Sequence, residues 1–253
     1  MSRLFDAYRA FHEQAFIPIF VHDHFDSRML LDACTEAGVK GIEYTLRRRD
    51  ADTMIPWIRQ NHPNLYLLVG STQDDESIVR KARIRYPQVR TVAELDAMGV
   101  DGFVSMIGFS LESIKRYSPR RLVIPTAMTV NEAFFQIGAG AHFAKMLGPS
   151  LNLVKTCRGE PTFGFCPILV TGGMDLERIP KAMSAGVMLI GSGFDLILKG
   201  QPSDISAKAA AKLLKQYLEV TQEARSKKWP EMARAIGGDE RTWLDSLPHH
   251  HPF

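Results

Sequence analysis

The sequence predicts an α/β protein of the (β/α)8 barrel class, and two observations lead to that prediction. Eight short apolar segments alternate along the chain with segments of helical periodicity. The length of 253 residues is typical of one such barrel. A doubly wound open sheet has the same alternation, but the glycine fingerprint expected after its first strand is replaced by VHDH at residues 21–24. The barrel is therefore the favoured architecture.

Short apolar runs bounded by glycine or polar residues mark the strands, and a 3.6-residue periodicity marks the helices. An amphipathic helix at residues 2–14 precedes the first strand, and Asp26 is positioned to cap the next helix, which ends near Gly38. The predicted strands cover residues 17–21, 41–46, 65–70, 102–105, 122–125, 142–145, 168–171 and 188–191. Further helices are predicted at residues 110–117, 130–138 and 176–185.

Two parts of the chain depart from this alternation. Residues 1–200 are expected to form the barrel with its N-terminal helix, and residues 201–253 a C-terminal helical extension packed on it. The long helix at residues 206–225 belongs to that extension because no strand pattern follows it. The charged connection at residues 70–102 indicates extra helix. The polar tail around residues 249–251 is expected to be disordered.

Composition and charge exclude several classes of protein. The formal net charge is only +3, and the basic clusters at residues 47–49 and 80–90 lack interleaved aromatic residues, so they are interpreted as mostly solvated surfaces and no nucleic-acid partner is expected. The three cysteines form no CxxC pair. We find no signal-like segment and no apolar stretch of membrane-spanning length, which predicts a cytoplasmic protein without a membrane partner.

A lysine at the end of the sixth predicted strand is the most informative residue. Lys145 ends the apolar run HFAK, and a loop is expected to follow at once. A buried ammonium group is costly without a partner, so a lysine there is either paired or used in chemistry. On the second predicted strand, Glu43, Thr45 and Arg47 occupy alternate positions and therefore share one face. A lysine nucleophile and a glutamate proton shuttle form a minimal set for Schiff-base chemistry on a carbonyl.

Structural interpretations of the same residues compete with this one. Glu43 and Arg47 could form an ion pair that only stabilises the barrel mouth. Lys155, expected on a helix or loop, is a second candidate nucleophile. The position of Lys145 in register with Glu43 and Arg47 favours the catalytic interpretation.

Glycine-containing turns follow the seventh and eighth predicted strands, where a barrel commonly binds an anion. The turns are Thr171-Gly172-Gly173 and Gly191-Ser192-Gly193. Glycine allows main-chain N–H groups to approach an oxyanion, aided by a helix N-terminus. The pair of turns predicts a phosphate or carboxylate site.

Between residues 17 and 194 the chain resembles the 2-keto-3-deoxy-6-phosphogluconate aldolase family, which includes 4-hydroxy-2-oxoglutarate aldolases. IEYTLR at residues 42–47 is similar to the family's IEVTLR and is the most specific match. The other matches follow in the family's order and spacing: VIP at residues 123–125, the lysine after an apolar strand, TGG at 171–173 and GS at 191–192.

The resemblance implies a homotrimeric class I aldolase, a lyase that acts on a small 2-keto acid without a metal or other cofactor. Lys145 would form the Schiff base with the substrate, and Glu43 would shuttle protons. Arg47, helped by Thr72 and Thr45, would bind the pyruvyl carboxylate. The expected phosphate-binding residues are Thr171, Gly172, Gly173, Gly191 and Ser192.

Four departures from the family pattern are expected to line the barrel mouth. The family's GAGT after the third strand is one residue shorter here, which makes Thr72 the candidate for the carboxylate contact. Met106 replaces a proline, and Val170 stands where the family has a proline. The family's KFFP is KMLGP at residues 145–149, which removes an aromatic wall and lengthens the loop.

The expected reaction is cleavage of a 2-keto-3-deoxy sugar acid, 2-keto-3-deoxy-6-phosphogluconate in the first instance, to pyruvate and an aldehyde. A 4-hydroxy-2-oxoglutarate aldolase is the nearest alternative. A phosphate-binding barrel isomerase or synthase and a non-catalytic paralogue are the alternatives from other classes.

Overall fold

Eight parallel strands form the centre of the molecule. The computed structural model describes residues 2–148 and 151–253. The strands are hydrogen-bonded in the order β5-β4-β3-β2-β1-β8-β7-β6. They are β1 Phe16–Phe20, β2 Gly41–Thr45, β3 Tyr66–Thr72, β4 Gly102–Ser105, β5 Leu122–Ile124, β6 Ala144–Leu147, β7 Ile168–Thr171 and β8 Leu189–Gly193.

Backbone hydrogen bonds between β5 and β6 close the ring. The N–H of His142 donates to the carbonyl of Val123 at 2.9 Å, and the N–H of Lys145 donates to the carbonyl of Pro125 at 2.8 Å. The carbonyl of Lys145 in turn accepts from the N–H of Ala127 at 2.8 Å. These bonds exclude the open sheet and confirm the predicted (β/α)8 barrel.

Helices surround the ring of strands, and helices also precede β1 and follow β8 in the sequence. Asp26 caps the helix after β1 by accepting from two backbone N–H groups, as its position predicts. The helices are α1 Arg3–Gln14, α2 Ser27–Glu36, α3 Ala51–Asn61, α4 Glu76–Arg83, α5 Val92–Ala97, α6 Leu111–Tyr117, α7 Val130–Gly138, α8 Leu151–Arg158, α9 Arg178–Ala185, α10 Phe194–Ile197, α11 Ala207–Lys228, α12 Pro230–Arg234 and α13 Glu240–Asp245. A short 3₁₀ helix spans Glu160–Thr162.

Alternate strand residues divide between two apolar clusters. Ile42 and Tyr44 belong to the cluster between the strands and the outer helices. Leu68 and Val104 belong to the cluster inside the barrel. This division follows from the two-residue period of a strand, and it decides which polar side chains reach the barrel interior.

Helix α1 closes the N-terminal end of the barrel. Its Phe5, Tyr8 and Phe11 belong to the interior cluster, and the ring of Tyr8 stacks on that of Phe143 with centroids 5.4 Å apart. A Cβ atom at Gly41 would lie 2.5 Å from the ring of Phe11, so glycine is required at the start of β2. With this end filled, the opposite end is the accessible mouth.

The long helix of the expected extension completes the outer ring. Helix α11 packs against both α2 and α9, and its buried residues Leu214 and Tyr217 belong to the same apolar cluster as the other outer helices. It therefore occupies the place of the eighth outer helix, since α10 has only four residues. The sequence could not indicate that α11 belongs to the outer ring. The alternation of strand and helix that identifies an outer helix ends after the last strand.

The prediction of a disordered tail is wrong. The side chain of His249 is buried, and its Nε2 lies 3.1 Å from the hydroxyl of Tyr8. The ring of Phe253 packs against those of Phe5 and Tyr8. The tail covers the apolar face that α1 leaves at the bottom of the barrel, so Phe253 and His249 gain packing partners.

Candidate active site

Lys145 lies inside the barrel, on the second residue of β6. Its neighbours Ala144 and Met146 belong to the outer cluster, so the Lys145 side chain points inward together with Phe143. Only 3% of Lys145 is exposed. The predicted loop directly after Lys145 is wrong, because Met146 and Leu147 continue β6 and pair with β7. Of that predicted loop, Pro149 lies outside the described residues.

Glu43 projects into the same interior from β2 and is 2% exposed. Its carboxylate lies against Gly70 of the neighbouring strand β3. A Cβ atom on Gly70 would overlap Oε1 of Glu43. Gly70 therefore makes the space that the carboxylate occupies. The Oε2 atom is buried without a hydrogen-bond partner in the described residues. An unpaired buried carboxylate oxygen is unfavourable for stability, which is typical of a functional group.

Arg47 joins this pair from outside the strand. Strand β2 ends at Thr45, and Arg47 lies in the turn that follows, with an exposed side chain. Its positive charge nevertheless acts on both Glu43 and Lys145. The structure thus brings together the three residues that the sequence singled out, although Arg47 does so from a turn and not from the shared strand face that was predicted.

Burial shifts the pKa of both interior groups toward their neutral forms. Loss of hydration lowers the pKa of Lys145, which the charge of Glu43 opposes and that of Arg47 reinforces. Loss of hydration raises the pKa of Glu43, which the charges of Lys145 and Arg47 partly offset. A free amine beside a carboxyl group that can exchange a proton is the combination that nucleophilic attack on a carbonyl requires.

Arg48 is the exception in the basic cluster after β2, which was predicted to be mostly a solvated surface. Its guanidinium is buried and donates to the hydroxyl of Tyr44 at 3.0 Å and to the carboxylate of Asp50 at 3.2 Å. It also donates to the carbonyls of His22 and Phe25. Arg48 therefore ties the loop after β1 to the turn after β2, and this turn carries the preceding arginine.

Thr45 and Thr72 are both buried, and their hydroxyl groups hold neighbouring strands together. The hydroxyl of Thr45 donates to the carbonyl of Phe20 at 2.8 Å. That of Thr72 donates to the carbonyl of Val104 at 3.0 Å. Each hydroxyl has a single proton, so in this arrangement neither side chain donates to a substrate carboxylate.

The turn after β7 is open to solvent at the mouth. Gly172 and Gly173 have φ values of +90° and +66°, which glycine adopts without strain, and both are exposed. Thr171 is buried, and its carbonyl accepts from the N–H of Gly148 at 2.9 Å. The exposed Gly172–Gly173 turn is the part of the predicted anion site that a ligand could reach.

Packing against neighbouring strands explains the residues found at the end of β8. A Cβ atom at Gly191 would lie 2.8 Å from Cδ1 of Ile19 and 2.9 Å from Cγ2 of Thr171. The buried hydroxyl of Ser192 donates to the carbonyl of Met174. These two residues are therefore accounted for by the fit of β8 against its neighbours.

Two charged residues at this edge were not identified from the sequence. Arg178 donates to the carbonyl of Gly173 at 3.0 Å, which places a guanidinium beside the exposed turn. Asp195 lies against Gly193 at the start of α10, where a Cβ atom on that glycine would overlap its carboxylate. Asp195 follows the end of β8 by two residues and Arg178 the end of β7 by seven, and their place after the last two strands is the signal that could have found them.

The four departures from the family pattern do not all reach the mouth. Met146 and Val170 are buried in the outer cluster, so the expectation that they line the mouth is wrong. Their alternation with Lys145 and Leu169 explains the difference. Met106 does reach it, since its sulfur lies 3.4 Å from Nζ of Lys145 and its side chain is partly exposed.

Other candidates are separated from this cluster. Lys155 is exposed on α8, a helix of the outer ring. Residues 2–148 and 151–253 contain no group of three or more His, Cys, Asp or Glu that could hold a metal ion. None of their helices combines the length and hydropathy needed to cross a membrane.

The fold and site together define a (β/α)8 barrel with a buried lysine and glutamate below its mouth, and several solved structures share this fold. The native KDPGal structure is 23% identical, with a TM-score of 0.62 over 82% of this chain and 96% of that one. A 4-hydroxy-2-oxoglutarate/2-dehydro-3-deoxyphosphogluconate aldolase is 17% identical, with a TM-score of 0.63 over 85% and 98%. The KDPG aldolase from Legionella pneumophila, with pyruvate captured as a covalent carbinolamine, is 18% identical, with a TM-score of 0.58 over 89% and 98%.

At these identities the likeness establishes the fold. No protein-family model matches the chain. No curated protein matches it either.

Proposed function

We propose that this protein is a class I aldolase that cleaves a 2-keto-3-deoxy sugar acid to pyruvate and an aldehyde. The observation that carries the proposal is the buried pair Lys145 and Glu43 on facing parts of the barrel interior, with Arg47 acting on both. A pair of buried titratable groups with pKa values shifted by burial is typical of a catalytic centre. The resemblance to the aldolase family, the shared fold and the nucleophile–acid pair agree on the same chemistry.

The reaction begins with the free amine of Lys145, which attacks the 2-oxo carbon. The resulting carbinolamine loses water to form an iminium ion, and the protonated carboxyl of Glu43 can supply the proton that departs with the hydroxyl. The Glu43 carboxylate then accepts the proton of the C4 hydroxyl. The C3–C4 bond breaks, its electron pair moves toward the iminium nitrogen, and an aldehyde and an enamine result.

The second half of the reaction uses the same two residues. Glu43 returns its proton to C3 of the enamine, and hydrolysis of the iminium releases pyruvate and the free amine of Lys145. Arg47 binds the substrate carboxylate through its planar guanidinium, which matches the two carboxylate oxygens. With the hydroxyl groups of Thr45 and Thr72 committed to strand carbonyls, Arg47 is the main side-chain donor for that carboxylate.

The far end of the substrate is proposed to bind at the exposed Gly172–Gly173 turn. Main-chain N–H groups in such a turn and the guanidinium of Arg178 support a distal phosphate, and hence 2-keto-3-deoxy-6-phosphogluconate. The carboxylate of Asp195 at the start of α10 opposes a dianion at that edge. This carboxylate favours the second candidate substrate, 4-hydroxy-2-oxoglutarate, whose distal group carries a single negative charge.

The experiment that tests the reaction class is borohydride reduction in the presence of pyruvate, followed by peptide mass spectrometry. The expected adduct is on Lys145. Lys155→Arg serves as the control and should leave the adduct in place, since Lys155 is exposed on an outer helix. An adduct on another lysine, or none at all, would contradict the proposal and support an isomerase, a synthase or a non-catalytic role.

The substrate is tested by comparing kcat/KM for three compounds. If the distal phosphate binds, kcat/KM should be higher for the phosphorylated 2-keto-3-deoxy acid than for its unphosphorylated form. The reason is that remote binding energy can lower the barrier at the reacting carbon. Equal values, or a preference for 4-hydroxy-2-oxoglutarate, would remove the phosphate part and leave the aldolase part standing. Arg178→Gln should reduce the preference if the phosphate lies beside Gly173.

A homotrimer is part of the same proposal and follows from the resemblance. Exposed phenylalanines at Phe135, Phe163 and Phe165 provide apolar surface that an interface between copies would cover. Light scattering of the purified protein measures the mass directly. A monomer at working concentrations would contradict this part of the proposal alone.

A further inference from the structure

A cavity of about 320 Å³ lies beside the barrel mouth, between the turn after β2 and helix α4. We call it the side pocket. Its apolar lining includes Leu46, Val79, Ala82 and Tyr86. Its volume falls at the lower end of the range of small-molecule sites. The reaction proposed above does not use this space.

The charged segment between β3 and α5 forms one wall of the side pocket. Asp75 caps α4 by accepting from the N–H groups of Ser77 and Ile78, which fixes where the helix begins. The amide of Gln88 donates to the carbonyl of Leu46 at 3.1 Å and ties the end of the segment to the turn after β2. The wall is thus fixed against the turn after β2 at its C-terminal end.

Polar groups line the side pocket at the end next to the barrel. Ser71 adopts a φ of +61°, an uncommon conformation for a residue with a Cβ, at the irregularity in β3 where its register with β4 shifts. Its hydroxyl and the amide oxygen of Gln73 are buried without a hydrogen-bond partner in the described residues. Strain and unsatisfied polar atoms at one place are typical of a functional region of a fold.

Arg47 connects the side pocket to the proposed active site. It lines the pocket, and its charge also acts on Glu43 and Lys145. Among residues 2–148 and 151–253 its guanidinium has no ion pair or side-chain hydrogen bond. A guanidinium available beside an apolar cavity is suited to bind a carboxylate attached to a hydrocarbon body.

We propose that the side pocket binds an apolar monocarboxylate. The carboxylate pairs with Arg47, and the hydrocarbon body lies between Leu46, Val79 and Ala82. Where Arg47 also binds the substrate carboxylate, which rests on the proposed function, the two ligands compete for one guanidinium. Such a compound therefore inhibits the aldolase reaction from outside the barrel.

Calorimetric titration with octanoate tests the pocket without depending on activity. Wild-type protein should bind octanoate, and octan-1-ol, which lacks the charge, should bind at least about tenfold more weakly. Ala82→Trp fills the pocket and should weaken octanoate binding by at least about tenfold. Ala97→Trp, the same change at an exposed position on α5, should leave binding unchanged.

A second readout separates this proposal from the aldolase one. The Ala82→Trp protein should keep the wild-type melting temperature within a few degrees and still form the pyruvate adduct, which shows that the barrel is intact. In the wild type, octanoate should slow adduct formation by pyruvate. Failure of the wild type to form an adduct would refute the aldolase and not the pocket. Absence of octanoate binding, equal binding by Ala82→Trp, or equal binding of octan-1-ol would overturn the pocket.

Discussion

The Nζ atom of Lys145 lies 3.4 Å from the sulfur of Met106. A thioether is a weak acceptor, so it contacts the amine without stabilising its charged form as a carboxylate would. Met106 thereby covers the proposed nucleophile on the side facing β4 and preserves the effect of burial that lowers the pKa of Lys145. The departure from the family pattern at this position is compatible with a free amine.

This contact predicts a shift in pH dependence. In Met106→Glu, a carboxylate near the amine should raise the pKa of Lys145, since an opposite charge within a few ångströms favours the charged form. A smaller fraction of the amine is then free at a given pH, so the acid limb of the pyruvate trapping rate should move to higher pH by about 1 unit. Met106→Leu keeps an apolar cover and should leave the limb in place. An unchanged limb in Met106→Glu would contradict the assignment of Lys145 as the titrating nucleophile.

The proposed role of Glu43 predicts that its substitution reduces turnover while Lys145 remains able to react. Glu43→Gln should reduce kcat by about 10²–10⁴-fold, the usual contribution of a positioned proton shuttle. Pyruvate trapping on Lys145 should still be detectable by mass spectrometry. The matched change Glu36→Gln, at an exposed position on α2, should have no effect. Wild-type turnover in Glu43→Gln would show that the carboxylate is structural.

Arg47 is expected to act through binding geometry more than through charge. Arg47→Lys keeps the positive charge but loses the planar fork, so KM for the 2-oxo acid should rise by about tenfold, equivalent to roughly 1.4 kcal/mol, while kcat falls less. Steady-state kinetics measure both. Arg49→Lys, whose side chain is 92% exposed, is the matched control. Equal effects of the two substitutions would remove Arg47 from the site.

Gly70 predicts a positioning effect on the glutamate. In Gly70→Ala the new methyl group would overlap Oε1 of Glu43 and contact Cγ2 of Thr45 at 3.0 Å, so the carboxylate must move. Turnover should fall by at least about tenfold, because a displacement near 1 Å in a catalytic group is costly. Gly138→Ala has open space around it and should keep activity. Normal turnover in Gly70→Ala would show that the carboxylate position is not critical.

Much of the barrel and its centre could be predicted because both depend on strand periodicity. The two-residue alternation placed Lys145 and Glu43 inside, and apolar runs marked the strands. The same alternation, applied to Met146 and Val170, would have shown that these residues face the outer helices. For Met146 the prediction failed because β6 continues past Lys145, and strand ends are the least defined feature of a sequence pattern. Val170 lies within a strand whose predicted bounds are correct, so alternation alone places it on the outer face.

Features that depend on contacts between distant segments could not be predicted. Arg48 belongs to a run of three arginines, and only the folded chain shows that it alone is buried against Tyr44 and Asp50. The place of α11 in the outer ring depends on its packing against α2 and α9. The ordered tail depends on Tyr8, which is 241 residues away from His249 in the chain.

Buried histidines below the barrel predict a loss of stability in mild acid. Burial lowers the pKa of His142 to about 3, and its Nδ1 accepts from the N–H of Val123 at 3.1 Å, which requires an unprotonated ring nitrogen. Burial, and in second place neighbouring positive groups, lower the pKa of His12 and His249 well below the ordinary 6.5. All three must stay neutral in the folded protein.

The sign of the effect follows from proton binding. Below pH 6.5 the unfolded chain protonates these histidines and the folded chain does not, so their contribution to the free energy of unfolding falls as the pH decreases and is constant above that value. Three such groups give a slope of at most roughly 4 kcal/mol per pH unit. The raised pKa of Glu43 acts in the opposite direction, but Glu43 is a single group.

Urea unfolding between pH 5 and pH 8 measures the dependence of the free energy of unfolding on pH. His142→Gln should reduce this slope by about a third, and the same change at the exposed His22 should leave the slope unchanged. A free energy of unfolding that does not vary with pH in the wild type would show that the three rings are not held neutral.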